Sequence, residues 1–231
     1  MELLKGKYTL RLVDGAFPLS TDSMVLSDFV KLPRNASVLD LGAGCATLGL
    51  LLCAKDSGCH VTGVEIDPNA HQGALVNIRE NQLESRLESI CADLKTVPQL
   101  FPAGKFSLCV SNPPYFSGGP ASESFPTARR EDLCSLEDLF RSAAWAVKYG
   151  GDFFLVHKPE RLAEICATAS RFQMEVKRLC LVRHKANDPV NLILVQCRKG
   201  AKPGLILEEL SLYQDDGTST QRCREIYDIE V

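Results

Sequence analysis

The stretch that decides the fold is VLDLGAGCATLG, which runs from Val38 to Gly49. Its start is an apolar run typical of a buried strand, and an apolar helix is predicted after its glycines. Gly42 and Gly44 let the backbone pass close to a ligand at the N-terminus of that helix, as in nucleotide-binding α/β folds. Thr47 stands where the dinucleotide fingerprint has its third glycine, so the glycine pair alone is weak evidence.

Acidic residues end the next two predicted strands. Glu65 follows the glycines by about 20 residues, which is the spacing of an acid that binds ribose hydroxyls. Asp67 precedes Pro68 and is more simply a helix N-cap with proline at the first helical position. A strand around 87–92 ends at Asp93, for which the alternative is a cap of the following turn.

A fourth apolar run, 106–110, leads into Asn112, Pro113, Pro114 and Tyr115. Successive prolines remove backbone donors and disfavour both strand pairing and helix, so this backbone is stiff. It holds one amide and one aromatic ring at the mouth of a sheet, where they can pair with and stack on a flat nitrogen heterocycle. The alternative is a plain strand-ending turn, because Asn-Pro marks turns in any case.

The rest of the chain alternates helices and strands, which predicts a parallel sheet with right-handed crossovers. A capping box at Ser135 predicts a helix through Val147, ended by glycines, and then a strand from Asp152. The runs 174–182 and 190–197 are close enough in sequence to form an antiparallel hairpin. The segment 205–213 is compatible with an additional edge strand.

Composition indicates one large core in a chain of 231 residues with a net charge of −3. No apolar stretch approaches membrane-spanning length, and the N-terminus lacks a signal-peptide core. The ten cysteines include no C-x-x-C pair, so zinc is not expected. We therefore expect a cytoplasmic protein without a metal or a membrane.

The order of these motifs over residues 8–200 resembles the S-adenosylmethionine-dependent N-methyltransferases that carry an Asn-Pro-Pro-Tyr signature. The residues that carry the resemblance are Asp40, Gly42, Gly44, Glu65, Asp93, Asn112, Pro113, Pro114 and Tyr115. The resemblance implies a single Rossmann-like class I domain whose seven-stranded, mostly parallel sheet has a reversed last strand. It divides the chain into an N-terminal hairpin and helix segment (1–34), a core (35–200) and a C-terminal extension (201–231).

The segment 17–29, in which Thr21 and Asp22 are expected to contact the site, narrows the resemblance to bacterial enzymes that methylate N6 of the adenine beside the anticodon of a valine tRNA. Glutamine methyltransferases carry a helical domain ahead of the core, and DNA adenine methyltransferases need a target-recognition domain. We expect no segment of the chain to form either the helical domain or the target-recognition domain. Two alternatives stay open: a glutamine-N5 methyltransferase acting on a protein release factor, and a non-catalytic cofactor-binding RNA module.

The resemblance also implies residue roles. S-adenosylmethionine contacts are assigned to Asp40, Gly42, Gly44, Glu65, Ile66, Asp93, Leu94 and Asn112. Among them, Glu65 would accept from the ribose hydroxyls, and Asp93 with the Leu94 N–H would bind adenine. The catalytic set is Asn112, Pro113, Pro114 and Tyr115: the Asn112 amide oxygen and Pro113 carbonyl accept from the target amine, and Tyr115 stacks on the base. No general base is expected, and neither His157 nor His184 is assigned as one.

RNA contacts are expected from cations in loops on the same rim. These are Arg129, Arg130, Lys158, Arg161, Arg183 and Lys185. Acidic residues lie among them and nearly cancel their charge, so a solvated mixed surface is the alternative. The oligomeric state is left open by the sequence.

Overall fold

The computed structural model of the protein describes residues 7–12, 20–114 and 134–227, together with the backbone of strand β1, Glu2–Leu3. β1 pairs with β2, Tyr8–Thr9, in a short antiparallel hairpin. The elements that follow in the first half are α1 (Thr21–Phe29), β3 (Ser37–Leu41), α2 (Thr47–Lys55), β4 (His60–Glu65), α3 (Pro68–Glu80), β5 (Leu87–Cys91), α4 (Val97–Leu100) and β6 (Phe106–Ser111). Those of the second half are α5 (Leu136–Ala146), β7 (Val147–His157), α6 (Leu162–Arg171), β8 (Met174–Lys185), β9 (Val190–Lys199), β10 (Ile206–Tyr213) and α7 (Gln221–Tyr227).

The main sheet has eight strands in the order β10-β8-β9-β7-β6-β3-β4-β5. β9 runs antiparallel to both of its neighbours, and all other neighbouring pairs are parallel. The predicted α/β class and the reversed strand are therefore confirmed. Beside the seven predicted strands, an eighth, β10, pairs in parallel with β8 from Ile206 to Tyr213 and forms the edge strand with which the segment 205–213 was compatible. The domain division stays a prediction.

The fifth strand of the sheet begins five residues before the predicted Asp152. α5 ends at Ala146, and Val147 already pairs with Phe106, whereas Leu108 pairs with Asp152. β7 therefore bulges between these two pairs. Gly150, with φ 76°, takes the left-handed conformation inside this bulge rather than ending the helix.

Helices cover both faces of the sheet. α1, α2, α3 and α7 share one apolar core, and α4, α5 and α6 share the other. Successive residues of β7 show the alternation of a strand: Phe153 meets Phe140 of α5 edge-on, and Phe154 meets Phe29 of α1. On each face of the sheet, one aromatic pair therefore joins β7 to a helix.

Local caps formed where the sequence predicted them. The Asp67 carboxylate accepts from the Asn69 N–H, with Pro68 at the first helical position. Ser135 and Asp138 form the predicted capping box, with Asp in place of Glu. Within the described ranges, none of the helices has the length and apolarity needed to cross a membrane.

Candidate functional site

The carboxyl ends of four neighbouring parallel strands bring the motifs singled out in the sequence to one edge of the sheet. The strand order there is β6, β3, β4, β5, and the paired registers end together near Leu41, Glu65, Cys91 and Ser111. The residues that follow these ends therefore form a row: Asn112, the glycine turn, Glu65 and Asp93. This edge is where ligands bind in open α/β sheets.

The glycine turn is held by backbone bonds to the next strand. The N–H groups of Gly42 and Ala43 both donate to the Val64 carbonyl, at 2.9 and 3.2 Å. Gly42 (φ 76°), Gly44 (φ 55°) and Ala46 (φ 65°) take the left-handed conformation. A methyl group built on either glycine would meet nothing within 4 Å. The glycines are thus required by backbone conformation, and the space above them is open.

Glu65 closes this turn from β4. Its carboxylate accepts from the Gly44 N–H and from the Asp67 N–H, both at 2.8 Å. The side chain is nearly buried, with 9% exposure for the residue. Each carboxylate oxygen has a second lone pair, so these bonds leave acceptor capacity for donors of a ligand.

Asp40 lies beneath the turn and is 1% exposed. Neither of its carboxylate oxygens has a hydrogen-bond partner among the described residues. Burial, and the charge of Glu65 in second place, raises its pKa to about 8. A buried carboxylate without a partner is costly, and a cation bound at the turn would relieve that cost.

The predicted adenine contacts lie at the end of β5. Asp93 caps the following turn through the Lys95 N–H at 2.9 Å and forms an ion pair with the Lys95 ammonium at 3.2 Å. The cap is therefore present, and the cofactor role of Asp93 stays a prediction. Leu94 begins that turn, and Ile66 is exposed at 44% for an apolar side chain beside Glu65.

Asn112 is anchored from outside the sheet. Its Nδ2 donates to the Ser23 hydroxyl of α1 at 3.0 Å. The preceding Ser111 donates its hydroxyl to the Leu41 carbonyl at 2.7 Å, which ties the ends of β6 and β3 together. Pro113 is buried and Pro114 half-buried, whereas Tyr115 lies outside the described residues.

Two residues that the sequence did not single out join the site to its surroundings. Ser23 lies next to the predicted pair Thr21 and Asp22, and its polar group on the buried face of α1 was the available signal. Asn77 of α3 is fully buried and donates to the Cys45 carbonyl in the glycine turn at 2.9 Å. A wholly buried asparagine in a helix is unusual enough to indicate a specific partner.

The rim cations that fall in the described ranges are engaged within the protein. Lys158 donates to the Asn191 carbonyl, and Arg161 binds both oxygens of Glu164. Arg183 donates to the Asp188 carbonyl and lies 3.6 Å from Glu209, and Lys185 donates to the Asp215 carbonyl. Arg129 and Arg130 lie outside the described residues. RNA contact by this set stays a prediction.

A second cationic surface lies away from this edge, where β8 and β10 begin and β9 ends. A cavity of about 470 Å³ there is lined by residues that include Lys31, Lys177, Arg178 and Arg198. Arg178 is paired with Glu208 and Arg198 with Asp152. The lining of this cavity contains none of the predicted site residues.

The two histidines near the rim, which we do not assign as bases, both have contacts within the protein. His157 is fully buried, and burial lowers its pKa to about 4, with Arg161 contributing. His184 packs its ring against Tyr213 at 4.5 Å between centroids. In the portions of the chain that the structure covers, no three His, Cys, Asp or Glu side chains group as metal ligands.

Comparison with known proteins gives consistent matches. The family model of the methyltransferase small domain matches residues 19–166. The tRNA1(Val) (adenine(37)-N6)-methyltransferase of Shewanella halifaxensis is 32% identical over 165 residues, which are 71% of this chain and 65% of that protein, slightly under two thirds. The enzyme of the same name from Actinobacillus pleuropneumoniae serotype 7 is 27% identical over 91% of this chain and 89% of its own. A crystal structure described as a predicted O-methyltransferase from Agrobacterium tumefaciens shares the fold, with a TM-score of 0.76, 22% identity, and 90% and 96% of the two chains covered.

Proposed function

The chain belongs to the methyltransferase small domain family, and we propose that it transfers a methyl group from S-adenosylmethionine to the N6 amine of an adenine in RNA. The acceptor we propose is the adenine beside the anticodon of a valine tRNA. Support for this acceptor comes from the name that two relatives share, one of which matches 91% of this chain.

The observation that carries the proposal is the order of groups along the sheet edge. Moving from β6 to β5, the edge presents Asn112, the glycine turn over Asp40, then Glu65, then Asp93. Three strand spacings separate the first from the last, which is about 14 Å. This order suits an acceptor amine, a methionine ammonium, a ribose and an adenine, in that sequence.

The residues present fit the cofactor. Asp40, buried and unpartnered within the described ranges, would bind near the cofactor's ammonium group. The remaining lone pairs of Glu65 would accept from ribose hydroxyls as charge-assisted bonds. Exposed Ile66 would cover one face of the adenine ring, beside Asp93 and the Leu94 N–H. Bound there, the cofactor supplies a methyl group activated by its sulfonium.

The chain's own part in the chemistry is positioning and hydrogen bonding. Asn112 Oδ1 and the Pro113 carbonyl would both accept from the target NH2, which turns the nitrogen lone pair out of conjugation and toward the methyl group. The methylated nitrogen is acidic and loses its proton to solvent, so no general base is needed.

We predict that Asn112→Ala lowers turnover by well over tenfold, a barrier change above about 1.4 kcal/mol. Cofactor affinity should stay within about threefold, because Asn112 is only one of the assigned cofactor contacts and Asp40, Glu65 and the glycine turn are untouched. The assay is transfer of labelled methyl from S-adenosylmethionine to unmodified tRNA, followed by nucleoside analysis. Gln99→Ala, which removes an exposed amide, is the matched control.

The same assay separates the alternatives. Transfer to a protein release factor and not to tRNA would identify a glutamine methyltransferase. Tight cofactor binding without transfer to either acceptor would favour the non-catalytic RNA module. Turnover of Asn112→Ala within tenfold of the wild-type value would contradict the amide mechanism.

A further inference from the structure

We propose that Ser23 is a positioning residue for methyl transfer, because its hydroxyl accepts from Nδ2 of Asn112 and so holds the carboxamide with its oxygen toward the acceptor amine. This inference rests on the proposed function and deepens it. Ser23 touches neither cofactor nor acceptor in this account. It acts through Asn112, whose Nδ2 donates to the Ser23 hydroxyl oxygen at 3.0 Å.

The need for such a partner follows from the symmetry of a carboxamide. Its oxygen only accepts hydrogen bonds and its nitrogen only donates, yet the two ends have nearly the same shape. A half-turn of the group exchanges them. With Nδ2 facing an acceptor NH2, two donors would meet and the amine would not be bound. A serine hydroxyl can accept from Nδ2 or donate to Oδ1. Here Ser23 Oγ accepts from Nδ2, which leaves Oδ1 for the amine.

Ser23 is itself rigidly placed. It lies in the first turn of α1 and is 6% exposed, and its neighbours Met24, Val25 and Leu26 are at most 3% exposed. The helix can therefore neither rotate nor slide without disturbing the core. The hydroxyl at this position reaches across 89 residues of sequence to Asn112.

Ser27 shows that a buried serine on this helix does not require such a partner. It lies one turn later, is 8% exposed, and donates to the Met24 carbonyl of its own helix at 2.8 Å. Local back-bonding of this kind is how serine is usually satisfied inside a helix. Ser23, in contrast, forms its hydrogen bond with a residue outside the helix, Asn112. Ser27 is thus a matched reference for a buried hydroxyl on α1 without the link to Asn112.

The C-terminal helix holds α1 from the other side. The Tyr227 hydroxyl donates to Thr21 Oγ1 at 3.0 Å, and Arg222 forms an ion pair with Asp28. Cys223 and Ile226 of α7 are buried in the same core as α1. Both ends of α1 are therefore tied to α7, which makes the C-terminal helix an indirect support of Asn112.

The test compares Ser23→Ala with Ser27→Ala in tRNA methylation by the full-length protein. We expect Ser23→Ala to lower kcat roughly tenfold, the worth of one hydrogen bond. KM for tRNA and cofactor affinity should stay within about twofold, since the acceptor and cofactor sites are intact. Ser27→Ala should leave kcat within about twofold at a similar unfolding midpoint. Ser23→Thr, which keeps the hydroxyl, should restore most of kcat.

Equal kcat for Ser23→Ala and Ser27→Ala would overturn the inference, and so would a rise in kcat for Ser23→Ala. A rise would mean that the serine hydroxyl donates to Oδ1 and competes with the acceptor. If Ser23→Thr unfolds at a lower temperature than Ser23→Ala, only the comparison of Ser23→Ala with Ser27→Ala tests the inference. A wild-type protein that methylates no tRNA overturns the proposed function, whereas an active wild type with equal alanine variants overturns only the role of Ser23.

Discussion

Burial decides the protonation state of Asp40. The residue stands at the end of β3 with no hydrogen-bond partner among the described residues, and its pKa is raised from 3.8 to about 8. Between these two values the unfolded chain carries an ionised Asp40 and the folded chain a protonated one. Its contribution to stability is therefore present at low pH and lost as pH rises toward 8. Binding of a cation reverses the preference and releases the proton.

We predict that Asp40→Asn stabilises the cofactor-free protein at pH 9 by more than about 1.4 kcal/mol, the equivalent of one pKa unit. The reason is that the amide cannot ionise in this buried site. The same change should weaken S-adenosylmethionine binding at least about tenfold. Urea unfolding at pH 6 and pH 9 measures the first effect, and calorimetric titration the second. A variant that loses stability at pH 9 while binding the cofactor normally would contradict both statements.

At the scale of elements, α3 connects the N-terminal segment to the glycine turn. Asn77 exchanges two hydrogen bonds with the backbone of Arg11, at 2.8 and 2.9 Å. Asn81, one turn later, does the same with Thr9 at 2.7 and 2.8 Å. The side-chain amides of Asn77 and Asn81 thus make the hydrogen bonds that a neighbouring strand would make with alternate residues, Thr9 and Arg11, of the N-terminal segment. Asn77 also donates to the Cys45 carbonyl.

We predict that Asn77→Ala lowers the free energy of unfolding by about 2–3 kcal/mol, because it removes two part-buried hydrogen bonds to the Arg11 backbone and a buried one to the Cys45 carbonyl. Asn81→Ala should cost less, about 1 kcal/mol, because water can replace its more exposed bonds. Denaturant unfolding of the two variants provides the comparison. Equal losses would show that the bond to the glycine turn carries no stability.

Gly49 allows the close packing of helix on sheet that the dinucleotide fingerprint achieves with its third glycine. The third glycine of the dinucleotide fingerprint allows close packing of helix on sheet, and Thr47 stands there instead. A methyl group built on Gly49 would lie 2.6 Å from a methyl carbon of Leu87. The close approach of α2 to β5 is thus made two residues later along the helix.

At the scale of the whole molecule, the charge of the protein would oppose the proposed binding of RNA. The chain carries a net charge of −3, and the described rim cations already bind acceptors within the protein. Arg183 is 24% exposed at its side chain and lies 3.6 Å from Glu209, which is 64% exposed. An RNA phosphate would have to compete with this carboxylate for the guanidinium group.

We predict that Arg183→Gln weakens tRNA binding and lowers the slope of log affinity against log salt concentration by about 1, as expected for one phosphate contact. Glu209→Gln should tighten binding, because it frees the same guanidinium. Fluorescence titrations at several salt concentrations measure both. Unchanged affinity and slope in the pair would exclude this part of the rim as the docking surface.

The features that the sequence determined by itself are those that depend on near neighbours in the chain. The Asp67 cap and the Ser135 capping box join residues two or three positions apart, so their chemistry is visible in a short window. Apolar periodicity and the glycine turn after Val38 placed the strands and, through the rule for parallel sheets, the edge at which the candidate site lies. The boundary at Val147 was missed because a bulge and a helix cap both favour glycine.

Only the tertiary structure decided which distant polar groups meet. Asn112 and Ser23 are 89 residues apart, and Asn77 and Cys45 are 32 residues apart. No local pattern encodes such pairs, because they depend on where a strand ends relative to a helix packed on another element. The lack of a hydrogen-bond partner for Asp40 among the described residues also depends on tertiary packing. The sequence placed an acid at the end of β3, and the packing around it removed water and raised its pKa.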